Sequence, residues 1–333
     1  MKHSTRLSLL LPFLLAASTA AADGSSTLPI NPNVLGTRSI VACDAASQSC
    51  GVAVVSFPVT SSTVPYGRPG VAVASQMMPS NDEAQAIMDA VGAGQTPQQA
   101  LNAVLAVDPI QPLRQVGVVS LAADGTVRVA QFTGAASWTQ RCAVAGATYA
   151  VQGAGQTNAA ICQVMAQGFE HATGSLALRL LAALKAGLGV GQDLRGERSA
   201  TLRVWSAATP LIAVTPLLAD ASVTGKAFPL DDLEQDLYRY LGQVAPPDPA
   251  NMVPLDDSTA KSLKRSLREL GYYRGPMDGR WNSDADAALT ALTNNNVFFP
   301  RSTTSDQRSQ LRIDEALVQF ILRAERGTLV PAQ

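Results

Sequence analysis

Residues 36 to 56 read Gly36-Thr-Arg-Ser-Ile-Val-Ala-Cys43-Asp-Ala-Ala-Ser-Gln-Ser-Cys50-Gly-Val-Ala-Val-Val-Ser56. Two short runs rich in Val and Ile flank Asp44 to Ser49, which holds only Asp, Ala, Ser and Gln. β-Branched residues suit a pleated, half-buried surface, and small polar residues suit a turn, so the stretch predicts a β-hairpin with a longer loop. Cys43 and Cys50 stand at the two mouths of that loop, where a cross-strand bridge could close it. Gly36-Thr37 stands at the outer end of the first strand.

Outward from the hairpin, 333 residues suffice for one large domain with a smaller one, or for two of moderate size. Hydrophobic residues make up 47% of the chain, enough for a sizeable core, and only 5% are aromatic. Tight layers of sheet and helix fit that composition better than a sandwich built on large rings. Charged residues are 15% and the net charge is −1, which argues against electrostatic binding to nucleic acid or anionic lipid.

The first residues predict a secretory signal over 1–22. Lys2, His3 and Arg6 make a basic start, Leu7 to Ala17 an apolar run, and Ser18 to Ala22 a small-residue end, with Asp23 as the mature start. The apolar run is too short for a permanent membrane span, and no later stretch qualifies. The expected location is exported, periplasmic or extracellular. In an oxidising compartment Cys43, Cys50, Cys142 and Cys162 read as two disulfides. Three pairings are formally allowed; Cys43–Cys50 is favoured on the hairpin and Cys142–Cys162 follows by default. Zinc is disfavoured, because the mature chain keeps one histidine, His171, and has no Cys pair at two-residue spacing. No metal or other cofactor is expected.

Residues 23–36 lack periodicity and read as a tail or removable propeptide. Beyond the hairpin, Pro58 to Pro69 reads as a loop and Val71 to Ser75 as a strand. A helix capped by Asn81 follows, then another opened by Thr96-Pro97, in which Thr caps and Pro takes the first turn. Gln115 to Leu121 and Thr126 to Phe132 form a second hairpin, and Tyr149 to Gln152 a further strand. Helices are expected near Asn158 to Ala172 and Ser175 to Ala186, a strand over Ala200 to Trp205, and a helix over Asp231 to Leu241. The order suits helices packed on the outer faces of sheets, an α+β fold. Ala245-Pro-Pro-Asp-Pro249 predicts a stiff linker over 245–254.

Motifs spread roughly from Thr37 to Leu241, within a domain expected over 37–244, resemble the family catalogued as domain of unknown function 1028, which is assigned to the N-terminal-nucleophile (Ntn) hydrolase superfamily. They are Thr37-x-Ser39-Ile40-Val41, Gly51-Val-Ala-Val-Val-Ser56, Val64-Pro-Tyr-Gly-Arg68-Pro-Gly70-Val and Ala74-Ser-Gln76. Arg114-Gln115, Tyr149-Ala-Val-Gln152-Gly153, Leu180-Leu-Ala-Ala-Leu-Lys-Ala-Gly187 and Asp193-x-Arg195-Gly-x-x-Ser199-Ala200 complete the set. Two positions depart: the family usually has Asn where this chain has Ala154, and Gln where it has Arg198. The resemblance implies an αββα layered sandwich in which a Thr, Ser or Cys opens the first strand as nucleophile, with its own amine as base.

On that reading Thr37 is the candidate nucleophile, though a β-favouring Thr at the head of a strand is also a purely structural choice. A Ser-His-Asp triad would have to be built on His171, in a predicted helix, and is set aside. Ser39, Asp193, Arg195 and Ser199 join the candidate catalytic set: Arg195 could hold a carboxylate and Ser199 could donate to an oxyanion. An Asp193–Arg195 loop clasp is the plainer alternative. Gln76 and Gln152, at predicted strand ends, are candidate binders of a substrate amide, or satisfy buried backbone groups.

Downstream, over 255–333, the chain resembles a peptidoglycan-binding domain. The matching run is Ser262-Leu263-x-x-x-Leu267-x-x-Leu270-Gly271-Tyr272-Tyr273-x-Gly275-x-x-Asp278-Gly279-x-Trp281, then Ala285 to Leu292. Leu263, Leu267 and Leu270 make one face of a helix, Gly271 takes the left-handed cap, and Asp278-Gly279 is a turn before a helix capped near Ser283. Lys264 and Leu292-Thr293 replace the family's usual Gln and Phe-Gln. Tyr272, Tyr273 and Trp281 are candidates to stack on sugar, or the core of a small helical bundle.

Two functions follow as expectations. One is an exported Ntn-type amidohydrolase that acts on a small amide or peptide bond and is held at peptidoglycan by its second domain. The other is a non-catalytic envelope binding protein on the same fold. A homo-oligomer is left open.

Overall fold

A computed structural model of the chain describes residues 36–58, 60–137, 140–206, 217–245, 247–298, 303–305, 310–323 and 329–332. The predicted signal peptide and, Gly36 apart, the tail before Thr37 lie outside the described residues.

The hairpin forms as expected: β1 (Thr37–Asp44) pairs antiparallel with β2 (Ser49–Ser56), Cys43 directly opposite Cys50. Then come β3 (Pro65–Arg68), β4 (Val71–Gln76), α1 (Asn81–Gly92), α2 (Pro97–Leu105), β5 (Gln115–Leu121), β6 (Val127–Thr133), β7 (Cys142–Ala145) and β8 (Tyr149–Ala154). Next are α3 (Ile161–His171), α4 (Leu176–Leu188), β9 (Ser199–Ser206), β10 (Leu217–Val223) and α5 (Pro229–Gln243). The C-terminal part adds β11 (Met252–Pro254), α6 (Asp257–Glu269), α7 (Ser283–Asn295), β12 (Thr304–Ser305), β13 (Leu311–Asp314) and α8 (Glu315–Arg323).

The fold is mixed, α+β. One sheet has six strands in the order β10-β9-β2-β1-β8-β7, and a second has four in the order β3-β4-β5-β6. Strand alternation sorts the side chains of β1. Ile40 and Ala42 join the helix-side core with Met165, Phe169, Leu180 and Leu184 of α3 and α4. Val41 and Cys43 point the other way, onto Ala72, Ala74 and Val119 of the second sheet. The far face of that sheet, through Val73, Val116 and Val118, packs on Ile87, Met88 and Leu101 of α1 and α2. Both faces of β1 are thus closed to water, and each buried Val or Ile contributes roughly 1.5–3 kcal/mol.

Several expectations are corrected. β3 lies where a loop was expected, and β7 and β10 are additional; short runs that carry Pro, Gly or charge do not announce strands. Helix α1 is capped by Ser80, whose hydroxyl accepts from Glu83 N, and α7 by Asn282, so each cap falls one residue earlier. Thr96 caps α2 as expected, in a reciprocal box with Gln99. The linker is not a free spacer: Met252–Pro254 pairs with β13. The C-terminal part is no pure helical bundle, because β11, β13 and β12 form a small sheet beside its helices. Its core is continuous with α5: Leu237, Tyr238 and Leu241 lie in one buried cluster with Phe320 and Ile321 of α8. Both disulfides form, Cys43–Cys50 and Cys142–Cys162, the second tying β7 to α3.

Candidate functional site

Antiparallel pairing gathers the upstream candidates at one end of the two sheets. Thr37, first residue of β1, lies opposite Ser56 of β2 on one side and Ala154 of β8 on the other. Ser199 opens β9 opposite Ser56. Gln76 closes β4 opposite Gln115 of β5, beneath the same strand ends. The loop from Asp193 to Glu197 closes the group.

Thr37 is 6% exposed, and its Oγ1 lies 2.7 Å from Ser56 Oγ. Ser56 Oγ donates to the Gly36 carbonyl oxygen at 2.9 Å, and Arg195 Nη2 reaches the same oxygen at 3.5 Å. Two donors of separate elements thus hold the carbonyl that precedes Thr37. The Arg195 guanidinium is itself fixed: Nε and Nη2 each sit 3.0 Å from a carboxylate oxygen of Asp193, and the group stacks 4.2 Å above the Phe57 ring. The loop clasp and the approach to Gly36 are one arrangement. Gly36 packs against it so closely that a Cβ there would lie 2.0 Å from Asp193 Oδ2.

Under the strand ends runs a chain of buried amides. Ser39 Oγ donates to Gln76 Oε1 at 2.6 Å, and Gln76 Nε2 donates to the Thr37 carbonyl and to Gln115 Oε1. Gln152 Nε2 donates to the Ala74 carbonyl at 3.0 Å. Both side chains are fully buried between the sheets, so the amide of Gln76 and the Nε2 of Gln152 bond the protein's own groups, while Gln152 Oε1 is left without a partner. Ser199 is likewise redirected: its Oγ donates to the Pro58 carbonyl at 2.6 Å. The hydroxyl that faces the Gly36 carbonyl belongs to Ser56.

On the helix side, buried Arg38 pairs with Glu197, which also accepts from Asp193 N. Burial pulls the Arg38 guanidinium down to about 9, against the opposing influence of Asp193. His171 ends α3 and is exposed, so no triad is built on it.

Ser56, Arg38, Gln115 and Glu197 were not singled out from sequence. Ser56 could have been: with Cys43 set opposite Cys50, antiparallel counting places Ser56 opposite Thr37. The position that departs from the usual family residue, Ala154, is the other cross-strand neighbour of Thr37, so no amide stands there.

In the C-terminal part, Tyr273 is 2% exposed and its hydroxyl donates to the Pro276 carbonyl. Its ring is core and cannot stack on a ligand. Tyr272 and Trp281 are half-buried; Tyr272 Oη donates to the Val330 carbonyl at 2.7 Å, and Trp281 Nε1 donates to Asp286. Tyr272 and Asn295 line a shallow cleft of about 500 Å³. Lys264, where the family usually has Gln, is buried and donates to Asp278 and to the Arg280 carbonyl, pinning the Asp278-Gly279 turn.

Fold and motifs together define a two-part chain: a larger α+β domain followed by a smaller module of helices and a three-stranded sheet. Residues 37–233 match the family of unknown function DUF1028, and the chain belongs to that family. Residues 244–321 match a family described as "Putative peptidoglycan binding domain". The crystal structure of a Silicibacter pomeroyi protein, also described as DUF1028, is similar at a TM-score of 0.54 and 24% identity, over 62% of this chain and 86% of that one. The likeness shows a shared fold. No curated protein matches the chain. The domain pair indicates association with the cell wall and, with two disulfides, is compatible with an exported or envelope location. Among the described residues no helix is long and apolar enough to cross a membrane.

Proposed function

We propose that the chain is an exported Ntn-type amidohydrolase. Residues 37–244 form its αββα catalytic domain, and residues 255–333 hold it at peptidoglycan. The observation that carries this reading is the Gly36 carbonyl, held by Ser56 Oγ and Arg195 Nη2 beside the Thr37 hydroxyl.

The first reaction is on the chain itself. Thr37 Oγ1 bonds to the Gly36 carbonyl carbon, and the hydroxyl proton passes to the departing Thr37 nitrogen as the C–N bond breaks. Ser56 and Arg195 stabilise the charge that collects on the carbonyl oxygen. Water then splits the resulting ester into a Gly36 carboxylate, the Thr37 hydroxyl and a free Thr37 amine. With a pKa near 8, that amine serves as base around neutral pH. It takes the hydroxyl proton while Oγ1 attacks a substrate amide, the substrate's amine leaves with the proton, and water hydrolyses the acyl ester.

Intact-mass analysis of the exported wild-type protein tests this. The expected chain begins at Thr37; Thr37→Ala should remain uncut and Thr37→Ser should be cut slowly. A folded exported protein that still carries residues 23–36 would leave Thr37 a structural strand residue and the domain a non-catalytic binder. Co-sedimentation of the same protein with purified peptidoglycan tests the second half.

A further inference from the structure

The Gly36 contacts carry a statement about substrate, which rests on the amidohydrolase reading above. Gly36 does not have a positive φ, so its lack of a side chain is not a backbone requirement. The requirement is space. A Cβ built on Gly36 meets Asp193 Oδ2 at 2.0 Å, Asp193 Cγ at 2.7 Å and Arg195 Nη2 at 2.7 Å, all far inside van der Waals contact.

These groups cannot step aside cheaply. Asp193 is 2% exposed, and its carboxylate takes three hydrogen bonds from Arg195, through the backbone N, Nε and Nη2. The Asp193 backbone N donates to Glu197, and that carboxylate is in turn paired with Arg38. Phe57 closes the other face of the guanidinium. The wall beside the carbonyl is therefore a braced ion pair rather than the tip of a flexible side chain.

The acyl group that passes from the Thr37 nitrogen to Oγ1 during processing forms the same kind of ester that a substrate's acyl group forms in turnover. The wall that meets Gly36 then meets the substrate's acyl side. We infer that Asp193, braced by Arg195, is a specificity-determining residue, and that the enzyme takes amides whose acyl carbon carries an unsubstituted α-carbon: glycyl amides and glycyl peptide bonds. The guanidinium and the Ser56 hydroxyl, released from the Gly36 carbonyl by the cut, become donors to the incoming glycyl carbonyl.

Two measurements test this on the full chain. First, Gly36→Ala should slow cleavage before Thr37 by about 100-fold, as expected for one methyl group that does not fit. Gly36→Ala with Asp193→Ser, which removes the clashing oxygen and leaves an acceptor, should recover much of the rate. Second, the processed wild-type protein should hydrolyse glycyl-4-nitroanilide with kcat/KM about 100-fold above L-alanyl-4-nitroanilide. Cleavage of Gly36→Ala within a few-fold of wild type would overturn the inference, as would equal hydrolysis of the two anilides. The anilide comparison needs no mutant and so survives a folding defect in the variants. A different signature marks failure of the underlying reading: no cut in the wild type, and no hydrolysis of either anilide that Thr37→Ala abolishes.

Discussion

Ser56 Oγ donates to the Gly36 carbonyl at 2.9 Å across 20 residues of sequence. The contact exists because the hairpin register sets Thr37 opposite Ser56 and the strand end carries Gly36 one step further. Removal of this donor should be felt in reaction rate. Ser56→Ala should slow the cut before Thr37 by roughly 100-fold, in the range of losing one oxyanion donor. A time course of intact mass reads it, and an unchanged rate would leave the Gly36 carbonyl dependent on Arg195 alone.

The two disulfides should differ in weight. Cys142–Cys162 closes 20 residues and joins β7 to α3, whereas Cys43–Cys50 closes 7 within a hairpin already paired. Chain entropy predicts losses of about 3 and about 2 kcal/mol for the corresponding double Ser variants. Urea unfolding without reductant should rank the two in that order.

The C-terminal module should need α5. Glu234 of α5 is 4% exposed and is bonded at 2.5 Å to Arg323 of α8 and at 2.5 Å to Lys185 of α4, while Leu237 and Leu241 share a buried cluster with Phe320 and Ile321. A fragment of residues 253–333 would expose that face, so it should unfold at lower urea or associate. A fragment of residues 229–333 should be the more stable. Equal stability of the two would show that the α5 contact contributes nothing to the module.

Lys264→Met should lower stability, because it removes a buried ammonium that donates to Asp278 and to the Arg280 carbonyl. Lys264→Gln should cost less, because its amide can still donate. Asp278 supplies the pH dependence: the hydrogen bond from Lys264 holds its carboxyl below the ordinary aspartate value. That contribution is complete above the unfolded pKa and is lost as pH falls through the depressed folded one. The stability gap between wild type and Lys264→Met should therefore narrow as the pH falls below about 4, leaving the part due to the Arg280 carbonyl.

Val297 closes α7 at φ 56 while 84% exposed. A β-branched residue in the left-handed region is strained by about 1–2 kcal/mol, and Gly relieves it at some entropic cost. Val297→Gly should raise the thermal midpoint, and Val297→Asn should do so to a smaller extent. A lowered midpoint for both would mean that the valine side chain makes a stabilising contact.

Local chemistry was legible without coordinates. The two hairpins, the Thr96-Pro97 helix start, the Gly271 cap and the Cys43–Cys50 pair follow from β-branching, capping and turn preferences, which act between residues close in the chain, and Cys142–Cys162 was left as the remaining pair. Other features depended on partners far away in sequence. Ser199 and Ser56 are alike as residues, yet only the register of β2 between β1 and β9 turns Ser56 to the Gly36 carbonyl and Ser199 to that of Pro58. Gln76 and Gln152 look exposed at strand ends until the two sheets close on each other. Tyr272 and Tyr273 are neighbours in the chain, and the packing of α6 buries one ring while leaving the other half-open. Gly36 carries no turn signal at all. Its role appears only when the Asp193–Arg195 loop, more than 150 residues on, is folded against it. Residue type and spacing specify which local conformations are low in energy; which hydroxyl, amide or ring is left facing the Thr37 end is set by long-range packing, where a buried polar group without a partner is costly.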